Sequence, residues 1–227
     1  MPGVKRRETG GANLRVFMVL KGQFLERSTL IPVGTEVMEG TAHRGTERPP
    51  LLVLPPRPED GGGMDHVIAA ELAWAAASAG HATLRFNYRG VGGSQGKAGR
   101  GPALVEEAAA ALEVVLENAG SPAAAVASLH GSASVALALR AVHPEVAAVC
   151  LVSPRAIVPS DLAGLGRALL VVVGEQDTAI PRAELAAAVD EAGGVLHVVE
   201  GAGANFHHAL PVVGKAVRSW LQLLSGK

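Results

Sequence analysis

Residues 123–154 read AAAVASLHGSASVALALRAVHPEVAAVCLVSP, and the rest of the chain is arranged around them. A short apolar segment, Ala123–Leu129, leads into a cluster of small residues at His130–Ser134, and an Ala/Leu-rich segment then continues to a stop at Pro144. A second apolar segment follows at Val146–Val152. The pattern predicts a strand, a sharp turn, a helix and a second strand. Because small residues permit a tight turn, one side chain at its apex should stand above the carboxyl ends of a parallel sheet.

Two registers of this turn are open. If the helix and its stop at His143-Pro144 serve as the anchor, His130 lies at the apex, between Ser128 and Ser132. If a serine is required at the apex, Ser132 takes that position, flanked by His130 and Ser134. The first register is structurally simpler, whereas the second retains a nucleophile.

The rest of the chain alternates between short apolar runs and amphipathic segments, which predicts an α/β protein with a mostly parallel sheet and helices on both faces. The short link between Pro154 and Arg167 leaves no room for a lid domain. Residues 1–12 are charged and glycine-rich, which predicts a disordered tail before a single domain at 13–227. The further predicted strands are Leu14–Leu20, Ser28–Val33, Thr35–His43, Leu51–Leu54, His81–Tyr88, Arg167–Val173 and Val195–Val199. One further predicted helix ends near Gly80, and three others cover Pro102–Asn118, Ala183–Glu191 and Leu210–Leu224.

Composition excludes several classes of function. The formal net charge of −1 argues against a nucleic-acid partner, because binding to a polyanion needs a basic face. No segment reaches the length of a membrane span or a signal peptide, so we expect a soluble, cytoplasmic protein without a membrane partner. The single cysteine, Cys150, cannot form an intrachain disulfide and is interpreted as a small buried apolar residue. The sequence does not indicate an oligomeric state.

Three segments carry a resemblance to a known family. The segment Leu84–Gly96 reads LRFNYRGVGGSQG, which is similar to the family segment RFNFRGVGxSxG. Pro58–Asp65 is similar to a P-x-x-G-G-x-M segment, and Gly174–Asp177 is similar to the turn that carries the family's acid. From Leu51 onward, the chain therefore resembles the compact, lidless branch of the α/β-hydrolase superfamily, near the dienelactone-hydrolase-like proteins.

The resemblance implies a Ser-His-Asp triad, and its positions in this chain indicate a degenerate one. Asp177 matches the aspartate that orients the histidine. The histidine position falls on Ala204 when the segment after the last strand is aligned without a gap, although His207 and His208 lie close by. The nucleophile position falls on His130 in the ungapped register. Loss of both groups is expected when ester hydrolysis has been lost or redirected, because neither works alone.

The loop after the Leu51–Leu54 strand should supply an oxyanion donor, and it is altered as well. It reads Pro55-Pro56-Arg57-Pro58 where the family has an HPHP-like sequence, and proline has no N–H to donate. Arg57, or the backbone of Glu59, is expected to point into the site instead. The predicted pocket is also bordered by Gly131, Arg89 and Ala204.

Three hypotheses follow. In the first, the protein has lost ordinary ester hydrolysis and uses the old pocket to bind a small molecule or a protein partner. In the second, it is a serine hydrolase for a small ester or thioester, with Ser132 as nucleophile, His207 or His208 as base and Asp177 as acid. In the third, His130 near Asp177 is a general base, since the N-terminus of a helix disfavours the imidazolium.

No cofactor is predicted. The glycine-rich segment Arg89–Gly96 lacks the context of a dinucleotide-binding loop, because it has neither the helix opening nor the acidic partner that such a loop requires. A zinc site built from His130, Asp177 and His207 has weak support, since sequence spacing across separate loops says nothing about coordination. The expected ligand is therefore a small molecule, without a metal.

Overall fold

The computed structural model describes residues 25–226. The predicted tail at residues 1–12 and the predicted strand Leu14–Leu20 lie outside the described residues. The strands are β1 (Arg27–Val33), β2 (Glu36–His43), β3 (Glu47–Leu54), β4 (His81–Phe86), β5 (Ala124–Leu129), β6 (Val146–Val152), β7 (Leu169–Gly174) and β8 (Val195–Val199). The α-helices are α1 (Val67–Ser78), α2 (Pro102–Ala119), α3 (Ala133–Val142), α4 (Arg182–Glu191) and α5 (Leu210–Leu224).

The strands of residues 25–226 form one eight-stranded sheet in the order β1-β2-β4-β3-β5-β6-β7-β8. β2 is antiparallel to both β1 and β4, and every other pair of neighbours is parallel. The prediction of a mostly parallel sheet is confirmed. Since the parallel strands end at the same edge, the loops that follow β3, β4, β5, β7 and β8 open toward one side of the molecule.

Helices cover both faces of the sheet, as predicted. Strand β3 is apolar on both of its faces. Leu52 and Leu54 pack into the core beneath α2, α3 and α4. Leu51 and Val53 pack into the core beneath α1 and α5. Strands buried on both faces are apolar at every position rather than at alternate positions. The two tryptophans both belong to the α1 and α5 side. Trp220 is buried and donates its indole N–H to Arg167 O at 3.3 Å, whereas Trp74 is 52% exposed.

The structure differs from the predicted boundaries by two residues or more at three strands. β3 begins at Glu47 rather than Leu51, because Pro49 and Pro50 lie in a part of the strand where the register with β4 shifts and a ladder N–H is not required. β4 ends at Phe86 rather than Tyr88. β7 begins at Leu169 rather than Arg167, since residues 166–168 form a 3-10 turn.

Residues 153–168, which connect β6 to β7, form two short 3-10 turns, Pro159–Leu162 and Gly166–Ala168. Here the connection is too short for a lid domain, as the sequence predicts.

Candidate functional site

The turn between β5 and α3, called the elbow below, consists of His130, Gly131 and Ser132. His130 has a φ of 51°, which is uncommon for a residue with a Cβ, whereas Ser132 has an ordinary helical φ of −70°. The strained position of the turn is thus His130, where the ungapped register puts the apex. The imidazole is largely covered, because only 6% of the residue is exposed.

Contacts with the loop after β6 fix the His130 ring. Its Nδ1 lies 3.3 Å from Ser153 O, and Arg155 donates its backbone N–H to His130 O at 3.3 Å. A carbonyl oxygen only accepts hydrogen bonds, so Nδ1 is assigned as the protonated nitrogen and Nε2 carries the lone pair. Ser153 also has a positive φ, of 44°. Two residues with a positive φ, each directly after one of two neighbouring strands, are therefore joined through this contact.

A second histidine, His66, packs against His130. The two ring centroids are 5.6 Å apart and the rings are nearly perpendicular, at 83°. His66 is also the N-cap of α1, where its Nδ1 accepts a hydrogen bond from Ile68 N at 3.3 Å. The sequence interpretation missed this residue. A polar residue just before the apolar run of α1 signals a cap, but nothing in the sequence links that cap to the elbow.

Both imidazoles are held in the neutral form. Burial is the main cause that lowers the pKa of His130, and the charge of Arg155 acts in the same direction. The hydrogen bond with Ser153, and the charges of Asp177 and Asp60, oppose that shift in the pKa. The pKa of His66 is also lowered, first by burial and then by His130. Near pH 7 the elbow therefore presents the neutral imidazole of His130 as a base. The carboxylate of Asp177 is close enough to favour the imidazolium that forms when His130 accepts a proton.

Ser132 has a structural contact. It is fully buried, and its Oγ donates a hydrogen bond of 2.6 Å to Pro55 O in the loop after β3. His207 and His208 are exposed before α5. No hydrogen bond between the described residues joins either imidazole to Ser132. The contacts that a Ser132-based triad requires are therefore not assembled in this structure.

Asp177 lies in the turn after β7, with one carboxylate oxygen engaged locally. Its Oδ1 accepts from Ala179 N at 3.1 Å, and its Oδ2 is buried without a hydrogen-bond partner in the described part of the chain. The loop after β8 is tied to this turn, because Gln176 N donates to Ala202 O at 2.8 Å. Ala204, two residues further along that loop, is half-buried and has no group that could reach the free oxygen.

Arg57 lies against the elbow from the loop after β3. Its guanidinium pairs with Glu59 at 2.9 Å and with Asp60 at 3.1 Å, and these contacts, the hydrogen bond that Arg57 donates to Asp60 foremost, raise the pKa of Arg57. The guanidinium packs so closely on Gly131 that a Cβ at that residue would collide with it. Arg57 therefore occupies the space beside the backbone of Gly131, the residue that follows His130. Its positive charge is already neutralised by Glu59 and Asp60.

Arg89 belongs to a separate ion-pair network. It donates from Nε to Glu107 at 2.9 Å and from its backbone N–H to the same carboxylate at 2.7 Å, and it pairs with Glu36 at 3.2 Å. Glu107 is fully buried in α2. Arg89 therefore ties the loop after β4 to α2 and β2.

Within residues 25–226, no group of three or more His, Cys, Asp or Glu side chains is placed to hold a metal ion. Cys150 is buried in β6, where burial raises the pKa of its thiol. Among the described helices, none has the length and apolar character needed to cross a membrane.

Sequence comparison gives limited information. No protein-family model matches the chain. An uncharacterized protein of Rickettsia prowazekii is 40% identical over 70 residues, which cover 31% of this chain and 29% of that protein. The chain thus matches less than a third of that relative's length, and the match shows a local similarity.

Structural comparison decides the fold. An alpha-beta serine hydrolase homologue from Coxiella burnetii matches with a TM-score of 0.73 and 27% identity, over 85% of this chain and 96% of that one. The chain has the α/β-hydrolase fold. A serine hydrolase without a lid from Xanthomonas campestris matches with a TM-score of 0.72 and 19% identity, over 88% and 94% of the two chains. A dienelactone hydrolase from Anabaena variabilis matches with a TM-score of 0.68 and 16% identity, over 88% and 98%. Lidless and dienelactone-hydrolase members of the α/β-hydrolase fold are therefore among its structural neighbours.

Proposed function

We propose that this α/β-hydrolase-fold protein has lost ordinary Ser-His-Asp ester hydrolysis, and that its elbow binds a small molecule on which His130 acts as an acid/base group. The observation that carries the proposal is the position of His130, the residue with a φ of 51° in the turn between β5 and α3. Backbone strain of this kind costs about 1–3 kcal/mol and is characteristic of functional sites. The strain is retained here at an imidazole rather than at a hydroxyl.

The electrostatics support a base in this position. The hydrogen bond from Nδ1 to Ser153 O leaves the lone pair on Nε2, so Nε2 is the atom that would accept a proton from a bound ligand. The charges of Asp177 and Asp60 favour the imidazolium that this transfer creates. His130 would then return the proton to the product, so that the protein is unchanged after each cycle.

The alternative is a serine hydrolase that uses Ser132 as its nucleophile. The Ser132 hydroxyl donates to Pro55 O, and the Asp177 Oδ2 atom has no partner among the described residues. Hydrolysis through Ser132 would require the hydroxyl to leave that contact and an exposed histidine to move between the two groups.

Fluorophosphonate labelling, read by intact mass, tests the proposal together with turnover of short-chain p-nitrophenyl esters. We expect no adduct on the wild-type protein and no ester turnover above buffer. A single adduct with turnover, both abolished in Ser132→Ala, would establish the serine-hydrolase alternative and overturn the proposal.

A rebuilt triad provides the positive control for this experiment. The double variant His130→Ser/Ala204→His puts a serine at the strained position and an imidazole in the loop tied to the Asp177 turn. We expect it to label about 100-fold faster than His130→Ser alone, the usual contribution of a positioned general base. Adding Asp177→Asn to the double variant should remove most of that gain.

A further inference from the structure

Two histidines meet at the elbow, and each lies at the N-terminal end of a helix. His66 is the N-cap of α1. His130 comes two residues before Ser132, the N-cap of α3. Their ring centroids are 5.6 Å apart and the rings are nearly perpendicular. The proposed function uses only one of these two imidazoles.

The two rings carry their protons on different nitrogens. Nδ1 of His66 accepts a hydrogen bond from Ile68 N at 3.3 Å, and a neutral imidazole that accepts at Nδ1 has its proton on Nε2. Nδ1 of His130 carries the proton instead, because it lies 3.3 Å from Ser153 O, and its Nε2 has the lone pair. The pair therefore offers an N–H donor, from His66, beside a base, from His130.

Both Nε2 atoms are available to a ligand. Among residues 25–226, no hydrogen bond engages Nε2 of His66 or Nε2 of His130. His66 is half-buried and His130 is largely covered, so the pair is partly shielded from water. A hydrogen bond that a ligand forms in such surroundings is stronger than the same bond in bulk water.

The surroundings of the pair favour the charges that a proton transfer creates. The N-termini of α1 and α3 carry partial positive charge, which stabilises a negative charge on a ligand beside the two rings. The carboxylates of Asp177 and Asp60 favour a positive charge on His130. A ligand oxygen that becomes negative next to the Nε2–H group of His66, while His130 becomes a cation, is therefore stabilised on both sides.

We infer that His66 is a second catalytic residue, which donates from Nε2 to the carbonyl oxygen of a substrate while Nε2 of His130 takes a proton from the adjacent carbon. The substrate is then a ketone or another carbonyl compound with an enolisable C–H bond. The inference rests on the proposed function, since it uses His130 as the base.

The step balances without a further reactant. The C–H bond breaks, its electron pair forms the carbon–carbon double bond of an enolate, and the negative charge moves to the oxygen that His66 holds. His130 carries the proton as an imidazolium and returns it to the carbon skeleton. The net reaction is an isomerisation, and both imidazoles end each cycle in the form in which they began it.

The positions of the two protons are tested by proton–nitrogen NMR correlation spectra of the histidine side chains, recorded on the wild-type protein at neutral to slightly alkaline pH. We expect the proton of His66 on Nε2 and the proton of His130 on Nδ1. The same tautomer at both residues would overturn the inference, because the pair would then lack either the donor or the base.

Exchange of the α-protons of butanone in heavy water, followed by the loss of their proton NMR signals, tests the chemistry. We expect the wild-type protein to exchange them faster than buffer does. His66→Asn keeps an acceptor for Ile68 N but removes the Nε2 donor, and it should lower kcat about 100-fold, the usual cost of losing one such donor. His143→Asn, at the C-cap of α3, is the matched control and should exchange butanone like the wild-type protein.

His66→Gln makes the opposite change. Its longer side chain brings an amide N–H to about the position of Nε2, but it no longer caps α1. This variant should be less stable than His66→Asn in urea and should still exchange butanone about tenfold faster or more. A rate that follows stability across the two variants would contradict a chemical role of His66.

His130→Asn separates the inference from the proposed function. Asparagine tolerates the positive φ of this position and has no basic nitrogen, so the variant should lose the exchange reaction. Exchange that His130→Asn removes and His66→Asn leaves unchanged would overturn the role of His66 and retain His130 as the base. Exchange that survives in His130→Asn would overturn the base itself. No exchange above buffer in the wild-type protein would overturn the inference and leave the proposed function, which fluorophosphonate labelling tests separately.

Discussion

His130 and Ser132 are two positions apart, yet they have different physical roles. The backbone strain falls on His130, whose ring is held by Ser153 O and by the edge-on packing of His66. Ser132 has relaxed backbone angles and joins the elbow to the loop after β3 through Pro55 O. A hydroxyl in this position contributes to stability, because Pro55 O would otherwise be buried without a partner.

Replacement of Ser132 should therefore affect stability before it affects chemistry. We expect Ser132→Ala to lower the free energy of unfolding by about 1–3 kcal/mol, the cost of an unpaired buried polar group. Ser134→Ala is the matched control, since Ser134 is exposed and bonds only to Gly131 O, and it should change stability by less than about 0.5 kcal/mol. Urea unfolding followed by circular dichroism gives both values. Equal stabilities for the two variants would contradict the structural role of Ser132.

The residues of the site were only partly predictable from the sequence. The ungapped alignment places His130 at the position where the structure has the positive φ, because the anchoring helix and its proline stop are local signals. His66 was missed, since its contact with His130 joins segments far apart in the chain. The roles assigned to Asp177, His207 and His208 remain predictions, and the contacts described above for Ser132 could not be derived from the turn pattern.

The segment Leu84–Gly96, which resembles the family most closely, has a structural role. Asn87 Nδ2 donates to Glu39 at 2.6 Å, and Asn87 Oδ1 accepts from Met64 N at 2.6 Å. Gly92 has a φ of 56° and leaves no room for a Cβ beside Glu39 and Asn87. These contacts connect the loop after β4 to β2 and to the segment that precedes α1. Similarity in this segment therefore indicates the fold and carries little information about the reaction.

Glu107, the partner of Arg89, is fully buried in α2. Its removal should lower the stability of the protein strongly. We expect Glu107→Ala to lower the free energy of unfolding by about 3–5 kcal/mol, because it leaves the Arg89 guanidinium without its buried partner. Glu106→Ala is the matched control, since Glu106 is exposed and 3.8 Å from the same guanidinium, and it should cost less than about 1 kcal/mol. The measurement is urea unfolding at neutral pH. A loss below 1 kcal/mol for Glu107→Ala would contradict the proposed anchoring.

The order of elements was predictable because each buried parallel strand is a short apolar run and each helix begins or ends at proline or glycine. The strand boundaries were less predictable. Proline is unfavourable inside a strand, and β3 contains Pro49 and Pro50 where its register with β4 shifts. That shift depends on the neighbouring strand, so no local pattern reveals it.

Across the whole molecule, three covered imidazoles couple stability to pH. Burial is the main cause that lowers the pKa of His43, His66 and His130. Glu26 opposes the shift at His43, while Arg85 adds to it. Below the usual histidine pKa of about 6.5, the unfolded chain takes up protons that the folded chain does not. Glu71 acts in the opposite direction, because burial raises its pKa and its contribution is lost as the pH rises.

Stability should therefore fall on acidification from pH 7 to 5.5, by about 1 kcal/mol or more in the free energy of unfolding. His66→Asn should reduce this slope, because asparagine retains the helix cap without a titratable ring. Ala183→Asn, at an exposed position on α4 that carries no titratable group, is the control and should leave the slope unchanged. Urea unfolding at several pH values measures the slope. An identical pH dependence in wild type and His66→Asn would contradict the contribution of His66.

The placement of the two tryptophans determines what intrinsic fluorescence can report. Trp220 is buried with its indole N–H on Arg167 O, and Trp74 is exposed on α1. A red shift of the emission on unfolding will therefore follow the release of α5 from the sheet. The helices α2 and α3, which cover the other face of the sheet, contain no tryptophan. A change confined to that face will leave the emission spectrum nearly unchanged, so it must be followed with a probe placed there.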